Sequence, residues 1–264
     1  VLLRPSNFPM WPDCQRRTAA RMFGTEIADA GYHLREIATS VGASVGTATH
    51  TAVAHCLTEK MQGRGVPPDV DCTDKGIDEL RKRIADEGVQ WDATTPNLNT
   101  AQRQVQRQYK IYRLVVAERI NPVAVEHRVT VNTIRGNKLS GQIDCADTGI
   151  RDLKTGTVAR NNIAQYGGYS MLRRGEGHAV PTITEDYVPR VAIDKEQPPP
   201  LEIAHNPQLA EAVAARIIQD IESAYEQFRS TGDNLTFLAN PASVLCSDRF
   251  CLAHGTDWCE EGRK

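Results

Sequence analysis

The sequence predicts an α/β protein: a central mixed sheet flanked by helices, in one domain spanning residues 1–264. Three observations carry this expectation. A chain of 264 residues is long enough for one full-sized core. Apolar residues recur at helical spacing towards both ends, and from about residue 123 the period changes to alternation. The resulting order is helices, three strands, a helix, a strand and a helix, which describes helices packed on a sheet.

Residues 1–12 hold Pro5, Pro9 and Pro12 and read as an irregular arm. Asp13 is placed to cap a helix that starts near Cys14 and carries Arg16, Arg17 and Arg21. A second helix runs from about Ser44 to Met61. His50, Val53, Leu57 and Met61 share one of its faces, and Val45, Ala48, Ala52 and His55 share another, so it is expected to be buried. Gly63 to Pro68 breaks the chain, and Asp74 to Glu87 reads as a short charged surface helix. Leu98 to Ile120 is the clearest amphipathic helix of the first half, with Val105, Tyr109, Tyr112, Val116 and Ile120 as its stripe.

Val123 to Val131 reads as a strand marked by Val125, Val129 and Val131. Arg135-Gly136-Asn137-Lys138 turns the chain, Leu139 to Ala146 returns it, and Ile150 to Lys154 adds a third strand. Asn161 or Asn162 caps a helix to about Arg174, with Ile163, Tyr166, Tyr169 and Ser170 inward. Tyr187 to Ile193 is expected as the fourth strand, closed by Pro198-Pro199-Pro200. Asn206 caps a long helix to about Ser230, with Leu209, Val213, Ile217, Ile221, Ala224 and Phe228 at helical spacing. The tail from Leu235 is irregular.

With 31 basic and 33 acidic residues the formal net charge is −2. That excludes a polybasic chain, so a nucleic-acid site must be a local patch. No apolar run approaches the roughly 18 residues of a membrane helix, and no membrane partner is expected. Arg4, Pro5 and Asp13 interrupt any secretory signal near the start, and the opening Val1 is expected to follow removal of a Met or short leader. Of seven cysteines, Cys14, Cys56, Cys72 and Cys145 are isolated, while Cys246, Cys251 and Cys259 crowd the tail. Without a secretory signal they point to metal binding or burial in a reducing cytosol.

The stretch that carries chemistry is Gly141-Gln142-Ile143-Asp144 followed by Asp152-Leu153-Lys154-Thr155-Gly156. Residues two apart on a strand share a face, so Asp152 and Lys154 converge, and a returning hairpin turns Asp144 to the same spot. Paired carboxylates suit Mg2+ or Mn2+, and the ammonium group can orient a water and stabilise charge on a phosphate. The set suits metal-assisted phosphodiester hydrolysis. A solvated hairpin with ordinary surface charges fits the spacing equally well.

This pattern resembles the PD-(D/E)xK nuclease superfamily, and within it the RecB-type branch. There a Gly-x-x-Asp strand precedes an Asp-x-Lys-Thr-Gly strand end, a following helix carries Gln-x-x-x-Tyr (Gln165 and Tyr169 here), and an upstream helix carries Gly-x-x-x-His (Gly46 to His50 here). The classical Pro-Asp pair is absent, since Ile143 precedes Asp144. The resemblance implies a restriction-endonuclease-like core over about residues 44–230. It makes Asp144, Asp152 and His50 the metal ligands and Lys154 the residue that assists the attacking water. Gln165 and Tyr169 would contact the DNA backbone or hold a metal-bound water, or simply pack on the sheet. His50 could equally be a core histidine, and His55 keeps that plain reading. Glu126 matches a looser acidic position, near the metal, on the substrate or merely at the surface.

Relatives with a cysteine cluster, such as the AddB nuclease domain and CRISPR-associated adaptation nucleases, place one cysteine before the core and three after it around a four-iron four-sulfur cluster. By resemblance these are Cys14, in Asp13-Cys14-Gln15-Arg16-Arg17, with Cys246, Cys251 and Cys259. They would tie residues 13–24 to residues 240–264. Gaps of four and seven residues between the tail cysteines leave structural zinc, with His254, as the alternative. Arg103, Arg107 and Lys110 form a stripe that is either a DNA phosphate track or a solvated face. The function implied is a metal-dependent deoxyribonuclease. An exonuclease at single-stranded or free DNA ends in recombination, repair or phage replication comes first, acting in a bacterial or phage-infected cytoplasm, with a recombination protein or helicase as a possible partner. The alternatives are a CRISPR adaptation nuclease and a non-catalytic DNA-binding subunit that keeps the fold.

Overall fold

The structure is a computed structural model and describes residues 1–263. Among them, six strands form one mixed sheet: β1 (Leu2–Leu3), β2 (Ala124–Asn132), β3 (Lys138–Ala146), β4 (Ile150–Lys154), β5 (Ile183–Tyr187) and β6 (Leu201–His205). β2 and β3 make an antiparallel hairpin that occupies one whole edge of β3. On the other edge β4 pairs with β3 only at Cys145↔Arg151 and Ala146↔Ile150 before diverging. β1 fills the stretch left open, running parallel to β3 at Leu2↔Lys138 and Leu3↔Leu139. β5 lies parallel to β4, and β6 antiparallel to β5.

The helices are α1 (Gln15–Met22), α2 (Gly24–Asp29), α3 (Val41–Met61), α4 (Asp69–Glu87), α5 (Leu98–Tyr112), α6 (Ile163–Gly175) and α7 (Pro207–Thr231). α6 is the crossover between the parallel strands β4 and β5. One face of the sheet packs on α6, α7, α1 and the tail, in a core that includes Phe23, Ile143, Tyr166, Leu172, Phe228, Phe237 and Trp258. The other face packs on α3, α4 and α5 through Val53, Leu57, Tyr109, Tyr112, Cys145 and Leu153. No described helix is long and apolar enough to cross a membrane.

The expected stripe of α5 is buried in full, Ile120 beyond its end included, and Asn206 caps α7 by accepting from the Leu209 amide at 2.9 Å. Other expectations are corrected. The proline-rich arm is not wholly irregular: it holds β1 and a turn of 3-10 helix over Pro5–Met10. α3 starts at Val41 behind a Ser40 cap and α4 starts at Asp69. The regular part of α5 stops at Tyr112 and widens into a π turn over Arg113–Ala117. Asp13 does not cap α1; it accepts from Arg17 at 2.6 Å and from the Ser243 hydroxyl at 2.7 Å.

The fourth strand is not Tyr187 to Ile193 but Ile183–Tyr187, and β6 was not expected at all. Pro189 has no amide to offer a ladder. The carbonyls of Val188 and Val191 are instead taken by the amides of Gln108 and Gln104, both at 3.0 Å. α5 side chains thus do for this segment what a neighbouring strand does elsewhere.

Candidate active site

The site forms where β2 and β3 change faces. Residues of like parity share a face on a regular strand. Val129, Val131, Leu139 and Ile143 obey this and enter the core under α6 and α7. Val125 and Cys145, of the same parity, enter the opposite core under α3 and α5. The switch falls at Glu126, whose φ of +49° is left-handed, and at Asp144, which the flanking pairs Val125↔Cys145 and His127↔Ile143 set across from it. A non-glycine residue held there costs on the order of 1–3 kcal/mol and persists only when its surroundings enforce it.

The switch brings both carboxylates to His50 on α3. His50 Nδ1 lies 3.2 Å from Asp144 Oδ2, which also accepts from the Leu153 amide at 2.9 Å. His50, Glu126 and Asp144 each offer a ligand atom within 4.8 Å of the other two. Glu126 is braced from behind: Gln142 Nε2 donates to it, and Arg128 Nη2 donates to Gln142 Oε1 at 2.7 Å.

Asp152 and Lys154 converge at the end of β4 as expected and form an ion pair. Asp152 Oδ2, the oxygen that faces Lys154, is buried. Burial pushes Asp152 up to about 7; Asp144 adds to the rise, and Lys154 and His50 oppose it. Burial works against charge on His50, but the Asp144 carboxylate outweighs it and raises the ring to about 9. Burial also raises Glu126, and the charge of Asp144 adds to it. Crowded carboxylates fit a divalent cation, which would relieve their repulsion.

Two glycines of the motifs are explained by close approach. A Cβ on Gly46 would sit 2.8 Å from Thr155 Oγ1, so glycine lets α3 bring His50 down onto the end of β4. A Cβ on Gly141 would meet Leu172 at 2.8 Å and the Tyr169 ring at 3.0 Å, so glycine lets α6 lie on β3. Gln165 Nε2 donates to the Tyr169 hydroxyl at 2.8 Å; both residues are buried, and Gln165 borders the cleft. That cleft, of about 870 Å3, is walled by His50, Glu126, Gln142, Lys154 and Gln165.

Among the residues proposed from sequence, His50, Lys154 and Gln165 border this cleft, joined by Glu126; Asp144 sits behind it against His50, and Asp152, 1% exposed, pairs with Lys154 beneath the surface. The signal for Glu126 was an acid one strand away from Gly-x-x-Asp; its left-handed backbone had no signal. Arg103 and Lys110 are exposed on α5, whereas Arg107 donates to the carbonyls of Ala192 and Ile193, both at 3.3 Å, and to that of Lys195.

Away from the cleft, Cys14, Cys246, Cys251 and Cys259 line one small cavity together with His254. All four are free thiols, and burial pushes those of Cys246 and Cys251 up. The tail that carries three of them is laced to α1. The Arg16 amide donates to Leu238 O at 3.1 Å, Arg16 Nε to Phe237 O at 3.2 Å, and the Trp258 indole to Arg16 O at 3.1 Å.

The class defined by this fold and site is an α/β protein with a mixed sheet, holding a His, Glu and Asp set able to take a metal at the strand ends. Among solved structures it is similar to a protein from Eubacterium rectale described as "Putative exonuclease". The two share 12% identity, with 84% of this chain and 82% of that chain covered and a TM-score of 0.54. At that identity the likeness shows a common fold alone. No protein-family profile matches the chain, and no curated protein matches it.

Proposed function

We propose that this chain is a metal-dependent deoxyribonuclease of the RecB-type branch of PD-(D/E)xK nucleases, acting at DNA ends. The observation that carries the reading is the convergence of His50, Glu126 and Asp144 beside the Asp152–Lys154 pair, with His50, Glu126 and Lys154 opening onto one cleft. A Mg2+ or Mn2+ ion held there would supply Lewis acidity toward a phosphate oxygen and an acidified water. His50, Glu126 and Asp144 would hold the ion, and Asp152, paired with Lys154, would join them. Lys154, kept charged by Asp152 and Asp144 despite burial, orients the attacking water and offsets charge building on the phosphate. Gln165, steadied by Tyr169, faces the substrate. A non-catalytic DNA-binding subunit would have no need to keep this set intact. Arg103 and Lys110 extend a cationic surface along α5 for the DNA backbone, while Arg107 also fixes the 192–195 loop. The place of action is the cytoplasm of a bacterium or phage-infected cell.

The four cysteines around one cavity support a four-iron four-sulfur cluster as the staple between α1 and the tail. Structural zinc held by these thiols with His254, which lines the same cavity, is the alternative.

The deciding experiment is digestion of linear, circular and end-labelled single- and double-stranded DNA, with Mg2+, with Mn2+ and with chelator. Linear DNA should be lost only with metal, and circular DNA should persist. Metal-independent cleavage, or none on any substrate, ends this reading; cleaved circles would make the enzyme an endonuclease.

A further inference from the structure

The cleft does not end at Lys154. A second compartment, of about 380 Å3, shares Gly42, Ala43, Lys154 and Gly156 with it and continues past the start of α3. The two differ in charge: the first is bordered by Glu126 beside His50 and Lys154; the second is bordered by Lys154, Arg160 and Arg190 and by no carboxylate.

These cations are not equivalent. Arg160 is exposed at the rim, and its guanidinium has no ion-pair partner among the described residues. Arg190 is only 7% exposed. Its Nη2 is held by Asp92 at 2.8 Å and its Nη1 is engaged by Thr95, but its Nε is buried with no acceptor. The floor is fixed, because the Tyr187 hydroxyl and the Arg190 amide both donate to Gly156 O, at 3.0 and 3.1 Å. The compartment thus offers cations and lacks an anionic oxygen, one step from the place where a scissile phosphate would meet the metal.

We propose that this compartment seats the phosphodiester adjoining the scissile one on a single strand of DNA. Arg160 contacts its oxygens from the rim, and the Arg190 guanidinium, held by Asp92 and Thr95, shapes the wall without touching them. The proposal rests on the nuclease reading above and gives the strand a direction: metal first, cationic compartment next.

The test is binding of a fluorescent single-stranded oligodeoxynucleotide to the full chain, with Ca2+ in place of Mg2+ so that affinity is read without turnover. Arg160→Gln should weaken binding about tenfold and lower the slope of log affinity against log salt by about 0.7, the loss of one phosphate contact. In a second arm one uncharged methylphosphonate is moved along the oligonucleotide. A single linkage should cost the wild type a similar factor and cost Arg160→Gln nothing further, because both changes remove one contact. Unchanged affinity and slope in Arg160→Gln, additive losses in the second arm, or no binding by the wild type would each overturn the proposal. Coupled losses in a protein that never cleaves DNA would sink the catalytic reading instead and leave this one standing.

Discussion

Glu126 carries two consequences in one residue, backbone strain and a metal ligand, and substitutions separate them. Glu126→Gly relieves the left-handed backbone but removes the carboxylate, so it should hold or raise the melting temperature while Mn2+ affinity falls at least about tenfold. Glu126→Ala should lose affinity and stability together. Calorimetric titration with Mn2+ beside a thermal melt reads both, and equal stability of the two variants would mean that the backbone is unstrained. Asp152→Asn and Lys154→Ala should each lower turnover by about 10²-fold or more with the fold intact by circular dichroism; near-normal turnover in either would remove the pair from catalysis. The site also predicts a pH dependence. Asp152, raised to about 7, and His50, raised to about 9, both hold protons that a cation must displace. Metal affinity should therefore climb from pH 6 to pH 9, and an affinity flat across that range contradicts the ligand set.

Among the elements, α3 and β4 are coupled at Gly46 and Thr155. Gly46→Ala should push α3 off the strand end and carry His50 with it, lowering metal affinity more than stability. Adding Thr155→Ala removes the hydroxyl that the new methyl meets, and it should restore much of the affinity; a double variant no better than the single would show that the contact does not set the position of α3. The same elements show how far the sequence could be read. β2, β3 and β4 and helices α3, α5, α6 and α7 were legible from apolar residues at strand or helical spacing, whereas α4, read as a short charged surface helix, starts five residues earlier and buries Cys72, Ile77 and Leu80. β1 was not legible, since a two-residue strand has no period and exists only because β4 leaves part of β3 unpaired. β5 was hidden by its composition. Glu185 and Asp186 are buried in it, and hydropathy cannot foresee that Tyr166 donates to the first and Arg151 pairs with the second at 2.6 Å. In the site, the convergence of Asp152 and Lys154 was readable from spacing, because side chains two apart on a strand share a face; Asp144 was singled out by the resemblance, since the spacing fitted a solvated hairpin equally well. The membership of Glu126 depended on a face switch that no pattern of side chains announces.

At the scale of the whole molecule, α1 and the tail stand at opposite ends of the chain and meet around four thiols. Anaerobically purified protein should be brown, and Cys14→Ser or Cys259→Ser should lose colour and melt earlier. Closing a loop of this length is worth on the order of 5 kcal/mol in the chain-entropy account. A colourless protein holding one zinc would give the cavity to that ion, and a metal-free protein of full stability would show the cysteines to be unligated. Asp13 joins the same two segments. Its carboxyl is held below the usual range against the cost of burial, by the Ser243 hydroxyl and by Arg17. A depressed folded pKa gives stability that is present above the ordinary value of 3.8 and lost as pH falls through the folded one. Asp13→Asn should flatten the acid limb of a stability–pH curve, and an unaltered limb would mean that the link carries no weight. The meeting of the two ends also sets the order of events on the ribosome. β1 needs only β3, but α1 needs Phe237, Leu238 and Trp258, so α1 waits for partners made about 220 residues later. Nascent chains stalled before residue 237 should stay open to protease across residues 15–22, which should become protected only after the tail has emerged.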